Sequence, residues 1–492
     1  MQPIPHHSKD PHHDHRWLIL GLIGTAQLLV VLDVTIVNIA LPSAQRDLGF
    51  SDEDRQWVVT AYALAFGSLL LLGGRIADLF GRKWTFVVGL LGFASASALG
   101  GAAGSFELLV GARALQGTFG ALLAPAALSL LTTTFTQPAE RAKAFGVFGA
   151  IAGMGGAFGL LLGGVLTEVL DWRWCLYVSI VFAVPAAVAS VRLLQHAPAP
   201  SRPRLDIPGT LVASSGLFSL VLGLARAESD GWGSPVTLGF LAASTLLLVT
   251  FVALQRRTEH PLLPLRVVAD RDRGGSFLAL GTAGAGIFAV FLFLTFYLQQ
   301  TKGLSALETG LAFLPMTFAI VVSATIASTR LLVRTGPRPL VPTGMLGTAT
   351  GLVLLTRIGV DTAYVSHVLP SLILVGLGFG FIVAPAFATA TAGVGERDSG
   401  VASAMADTSQ QIGGAIGTAL LSTLAVAAST NFASERGQAT ELLRQAAVEG
   451  YVTAFWWGAG IFVVGAVVCG SLLRSIAHPA IAETGLVDAS SR

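Results

Sequence analysis

The chain has 492 residues, of which 53% are hydrophobic and only 12% charged, with a net charge of +2. A soluble domain carries roughly 25% charged residues, so there is too little charge here to cover a surface in water. Composition excludes a soluble globular protein, and a net charge near neutral with basic residues dispersed through many loops argues against a nucleic-acid-binding one.

A membrane helix needs about 20 mainly apolar residues. Fourteen such runs follow one another, starting near Trp17, Gln56, Trp84, Phe106, Ala142, Trp174, Ile207, Val236, Gly275, Leu307, Leu340, Tyr364, Val401 and Tyr451. The first exceeds a signal-peptide core and has no small-residue cleavage site after it, so it reads as a retained span. An even count puts both termini on one face. Loops on that face hold most of the 30 Lys and Arg, and only Arg113 falls inside a span. The positive-inside rule then predicts cytoplasmic termini.

A weak repeat relates the two halves. Phe119-Gly120-x-x-x-Ala-Pro-Ala126 recurs as Phe379-Gly380-x-x-x-Ala-Pro-Ala386, and Arg75, Gly81 and Lys83 correspond to Arg330, Gly336 and Arg338, with Val333 in place of Asp78. Duplicated six-helix halves are a transporter architecture that holds substrate between the halves. The predicted fold is an all-α integral membrane protein of fourteen transmembrane helices: two pseudo-symmetric six-helix bundles plus a two-helix insert. Its predicted parts are a tail at 1–16, a bundle at 17–200, a linker with the insert at 201–265, a bundle at 266–474 and a tail at 475–492. The His-rich start (His6, His7, His12, His13, His15) reads either as a metal or pH site or, more plainly, as a disordered tail.

Along the chain, charge inside or beside the spans marks the candidate machinery, because ionisable groups at mid-membrane cost about 2.5–3.5 kcal/mol each on insertion scales. Asp33 in span 1 is either a proton- or substrate-handling carboxylate or a static polar anchor. Residues 74–83, GRIADLFGRK, crowd Arg75, Asp78, Arg82 and Lys83 into a short turn between two spans, together with Gly74 and Gly81. Charge confined there reads as a latch between moving parts.

Arg113 opens a helical stripe with Gln116, Gly117 and Gly120 at i+3, i+4 and i+7. It offers a charge, an amide and bare backbone, suited to holding a carboxylate or bending against span 1, with a structural ion pair as the competing reading. Span 5 carries Gly149, Gly153, Gly156, Gly159 and Gly163, small residues that let helices approach closely. The loop with Glu168, Asp171 and Arg173 reads as a clasp on the opposite surface.

In span 13, Ser403, Asp407, Gln410, Gln411, Gly414 and Thr418 share a face that is too polar for lipid. Asp407 there is a second acid able to attract a proton or cation, or else a partner in bonds between helices. Asp33, Gln116, Asp407, Gln410, Gln411 and Tyr297 are the expected lining of a substrate cavity. Cys175 and Cys469 lie in apolar runs without metal-ligand spacing. The sequence has no Walker, HExxH or GxSxG motif, so no enzyme or ATPase is expected and no cofactor or metal is implied. Uphill transport would then draw on an ion gradient.

With these residues in hand, the chain resembles the fourteen-span drug–proton antiporter branch of the major facilitator superfamily. Residues 74–83 match its loop 2–3 motif, 32–42 its span 1 motif, and Trp57 to Tyr62 the usual continuation in span 2. Arg113, Gln116, Gly117 and Gly120 match its span 4 motif, and 149–164 its antiporter motif, with Gly156 and Leu160 standing where proline is common. The resemblance implies a monomeric, plasma-membrane, proton-coupled exporter of small amphipathic molecules working by alternating access. In that scheme Asp33, Arg113 and Asp407 couple protons. A dedicated single-metabolite exporter is the nearest alternative, and an importer, suggested by the missing prolines, a weaker one.

Overall fold

The computed structural model describes residues 15–135, 137–194, 206–259, 261–394, 399–436 and 440–474. The tail 475–492 and nearly all of the His-rich start lie outside these residues, as do the side chains of Asp78 and Phe288 and the surroundings of Gly153.

Among the described residues the chain is helical throughout. The helices are α1 (Arg16–Leu48), α2 (Asp52–Phe80), α3 (Arg82–Gly101), α4 (Phe106–Thr134), α5 (Pro138–Val169), α6 (Trp174–Leu193), α7 (Ile207–Asp230) and α8 (Pro235–Gln255). They continue as α9 (Leu265–Ala269), α10 (Arg271–Phe296), α11 (Ala306–Ile326), α12 (Leu332–Thr335), α13 (Pro337–Leu355), α14 (Leu369–Ala390), α15 (Ser399–Arg436) and α16 (Thr440–Leu472). Hydrocarbon offers no hydrogen-bond partner, and a helix satisfies its backbone within one segment. Side chains fix several starts: Ser51 accepts from the Asp54 amide, Ser105 from Leu108, and Ser305 with Glu308 forms a capping box. A single residue joins α2 to α3 and α12 to α13. These are Gly81 and Gly336, at φ of 91° and 72°, where a side chain would be strained.

Among the described residues twelve helices are long and apolar enough to cross a membrane, against the fourteen expected. The two runs expected near Ala142 and Leu340 form the helices α5 and α13, which are not among the twelve. Among the described residues of α5, Phe158–Val169 forms an apolar stretch. Helix α13 has 19 residues, among them Arg338, Pro339, Pro342, Thr343, Thr348 and Thr350. In the fold α5 packs on α1 and α11, and α13 on α14 and α16.

Packing repeats between the halves. α1 lies on α5 and α6, α2 and α3 on α4, and α3 on α6; in the second half α10 lies on α15 and α16, α11 and α13 on α14, and α13 on α16. The halves meet along two seams, α5 against α11 and α2 against α15, and α7 with α8 stands beside the second, where α7 touches both α2 and α15. The first seam is close. A Cβ on Gly310 of α11 would lie 3.1 Å from the Leu161 nitrogen, and buried Leu160 and Ile39 join the apolar core of the second half.

The α1–α5 contact depends on missing side chains. A Cβ at Gly159 would lie 2.0 Å from Thr35 Oγ1, one at Gly163 2.9 Å from Ile36 Cγ1, and one at Gly155 3.1 Å from Val31 Cγ1. Gly149, expected on this strip, faces open space, and Gly156 turns toward Phe291 of α10, 3.7 Å away. The strip therefore runs through every fourth residue, Gly155, Gly159 and Gly163. Gly159→Val is expected to destabilise the protein by about 1–3 kcal/mol through overpacking, whereas Gly149→Ala leaves it unchanged. Thermal unfolding in detergent checks this, and equal midpoints for the two variants would contradict it.

Candidate functional site

The site is built around a charge that cannot be neutralised. Arg113 of α4 is 1% exposed, and an arginine keeps its proton in proteins. One Nη donates to Asp33 Oδ2 of α1 at 2.5 Å and to Gln116 Oε1 at 2.9 Å, while Nε donates to the Val58 carbonyl of α2 at 3.1 Å. Gln116 Nε2 completes the ring, donating to Asp33 Oδ1 and to Ser97 Oγ of α3, both at 2.8 Å. Asp33 and Gln116 are both fully enclosed. Four helices thus converge on one ion pair, which joins Asp33, Arg113 and Gln116 as the sequence suggested.

The glycines of the same stripe do something different from what was expected. A Cβ on Gly117 would lie 2.4 Å from the Tyr62 carbonyl, and one on Gly120 3.0 Å from the Phe66 ring. The bare backbone of α4 therefore admits α2, not span 1. That approach brings the Tyr62 ring over the Arg113 guanidinium, 4.6 Å from centroid to Cζ. The sequence marked Tyr62 through the span 2 motif from Trp57 to Tyr62; its place over Arg113, and the Val58 carbonyl as a partner of Nε, are contacts that the spacing of α2 alone does not give.

Other expected residues lie apart. Asp407, Gln410 and Gln411 on α15 are half-buried, and no described contact joins them to the Asp33 cluster. Tyr297 is fully buried in the second bundle and donates its hydroxyl to the Gly359 carbonyl at 2.9 Å. Gln116, too, is enclosed by protein. A groove of about 420 Å³ runs between α10 and α16, lined by residues including Thr282, Trp457 and Gly460, and none of the expected cavity residues borders it.

In the stretch 74–83, Gly74 sits at the second seam, its Cβ position 3.6 Å from Pro125 and 3.7 Å from Ala404 of α15. Lys83 is spent within its own bundle, donating to the Val191 carbonyl of α6 at 2.8 Å, and Arg75 and Arg82 are half-buried. On the opposite surface Arg173 pairs with Asp47 at 2.7 Å and Asp171 at 3.5 Å, and the Trp172 indole donates to Asp47 at 3.2 Å. This clasp ties the α5–α6 loop to the end of α1 and leaves Glu168 exposed.

A family model described as Major Facilitator Superfamily matches residues 23–418. The chain belongs to the Major Facilitator Superfamily. It is 50% identical over 473 residues to the puromycin resistance protein pur8 of Streptomyces alboniger, covering 96% of this chain and 93% of that one. It is 39% identical to the cephamycin export protein CmcT of Amycolatopsis lactamdurans over 82% of this chain and 84% of the other. The crystal structure of the human organic anion transporter MFSD10 (TETRAN) shares the fold at a TM-score of 0.61 and 16% identity, with 92% of this chain and 99% of that one covered. As a member of this superfamily, the chain is a multi-pass membrane transporter.

Removing one partner of a buried ion pair costs about 3–5 kcal/mol, whereas replacing both with apolar groups is often neutral. Asp33→Leu, which strands Arg113, is therefore expected to lower thermal stability strongly, and Asp33→Leu with Arg113→Met to recover most of the loss. If the double variant melts as low as the single one, the pair is not what holds these helices together.

Proposed function

We propose that this superfamily member is a proton-coupled antiporter of the fourteen-span drug-exporting branch, and that it exports amphipathic small molecules such as drugs or antibiotics by alternating access. The observation that carries this reading is the Asp33–Arg113–Gln116 cluster. It places a carboxylate, in a span, out of contact with water and against a cation that never discharges. A static anchor needs no ionisable group, since neutral polar pairs bridge membrane helices at lower cost. The relatives named for resistance and export support the outward direction.

In this reading Asp33 takes a proton from outside and releases it inward in exchange for cargo, and Arg113 tunes that exchange. Asp407, with Gln410 and Gln411 near the seam between bundles, meets the cargo or adds a second proton site. Helices α5 and α13 cross the membrane with the other twelve, giving an even count, cytoplasmic termini and a plasma-membrane setting. The 74–83 stretch holds the cytoplasmic side closed, which the placement of Gly74 facing Ala404 across the seam supports. The close fit of α5 on α1 forms the antiporter helix. The proton gradient is the energy source, and no cofactor is called for.

Purified protein in liposomes with an imposed pH gradient tests the reading. Asp33→Asn is expected to abolish gradient-driven efflux while the protein still inserts, and undiminished efflux would remove Asp33 from the coupling role. A second reading, the dedicated export of one metabolite, is favoured by the relatives whose names each specify one antibiotic. Growth protection across a panel of unrelated dyes and antibiotics separates the two: protection against several compounds supports multidrug export, and against one alone the dedicated exporter.

A further inference from the structure

We infer that Tyr62 is a positioning residue for the coupling ion pair, and that it acts through the face of its ring and not through its hydroxyl. The inference rests on the proton-coupling role proposed for Asp33 and Arg113. Among the described residues the hydrogen bonds of the guanidinium are made along its edge: Nη to Asp33 and Gln116, Nε to the Val58 carbonyl. Bonds along an edge leave the plane free to tilt. The ring of Tyr62, 4.6 Å from Cζ, closes the face.

The ring is itself fixed. Tyr62 is 2% exposed and stacks on Phe66 at 5.5 Å with 12° between planes, and Phe66 is seated against Gly120. The Tyr62 hydroxyl, by contrast, is buried and has no hydrogen-bond partner among the described residues. A buried donor without a partner weakens a structure, so the hydroxyl is not what holds this residue in place.

The arrangement has a consequence for coupling. Asp33 from α1, Arg113 from α4 and Tyr62 from α2 are the titratable and charged groups of the cluster, and Gln116 and Ser97 are neutral. When Asp33 takes up a proton, Arg113 loses its counter-charge but keeps its own charge. An aromatic face attracts a cation through its quadrupole and does not titrate with the carboxylate. Tyr62 therefore supplies a partner that is constant through the cycle, keeping Arg113 in register while Asp33 alternates. Because Val58 and Tyr62 lie on α2, the helix that meets α15 at the seam, the pair is also gripped by an element that has to move when the bundles part.

The test compares Tyr62→Phe with Tyr62→Leu in liposomes, with Asp33→Asn and wild type alongside. Tyr62→Leu is expected to lower the maximal efflux rate about tenfold with the KM for cargo unchanged, and Tyr62→Phe is expected to transport like wild type. If Tyr62→Leu does not accumulate, Tyr62→Met makes the same comparison. A cycle of thermal midpoints adds a readout that simple packing does not produce: Tyr62→Leu lowers the midpoint by more when Arg113 is present than in an Asp33→Leu/Arg113→Met background. Wild-type rates for Tyr62→Leu, a loss in Tyr62→Phe as large as in Tyr62→Leu, or equal midpoint shifts in both backgrounds would each overturn the inference. Efflux retained by Asp33→Asn would instead sink the coupling reading, and the thermal cycle would still decide whether the ring holds the arginine.

Discussion

The organising constraint is the burial of one arginine in a span. A guanidinium that cannot lose its proton has to be surrounded by groups that replace water, and here the replacements come from four helices that are distant in sequence. Asp33 supplies the charge, Gln116 and Ser97 extend the hydrogen bonding, the Val58 carbonyl takes Nε, and Tyr62 covers the face. The relative positions of α1, α2, α3 and α4 around Arg113 all answer to this cluster.

Close approach between helices is the second determinant, and it depends on glycine. Lipid tails are as apolar as the side chains, so association inside a bilayer rests on van der Waals contact between surfaces that fit. Gly117 and Gly120 admit α2 to α4, Gly155, Gly159 and Gly163 admit α1 to α5, and Gly376 and Gly380 admit α11 to α14. The same device operates between the halves, where Gly310 meets the α5 backbone and Gly74 faces Ala404. Contacts this shallow, without interlocking side chains, suit surfaces that slide or part as an alternating-access cycle requires.

The two-helix insert is tied in by polar groups of its own. Asp206 caps α7 through the Gly209 amide and accepts from Gln255 Nε2 at 2.7 Å, and Gln255 Oε1 accepts from the Leu263 amide at 3.0 Å. This closes the loop end of the insert and sets Leu262 and Leu263 into an apolar cluster with Leu71 of α2 and Ala404 of α15. The Asp-Ile-Pro-Gly pattern at residues 206–209 is an ordinary helix-start signal, but in sequence it lies within a Pro/Arg stretch that reads as linker.

Hydropathy was legible because it is local: a run of apolar residues is expensive in water whatever surrounds it. The sequence by itself therefore determined that the chain lives in a membrane, that its helices are long, and that Asp33, Arg113 and Gln116 are the polar groups to account for. Which way Gly120 faces, that Tyr297 bonds to Gly359, and that Tyr62 lies on Arg113 were decided only by the tertiary structure. The reason is rotational: the spacing within one helix says which residues share a face, but the helix that face meets is chosen by the packing of all the others.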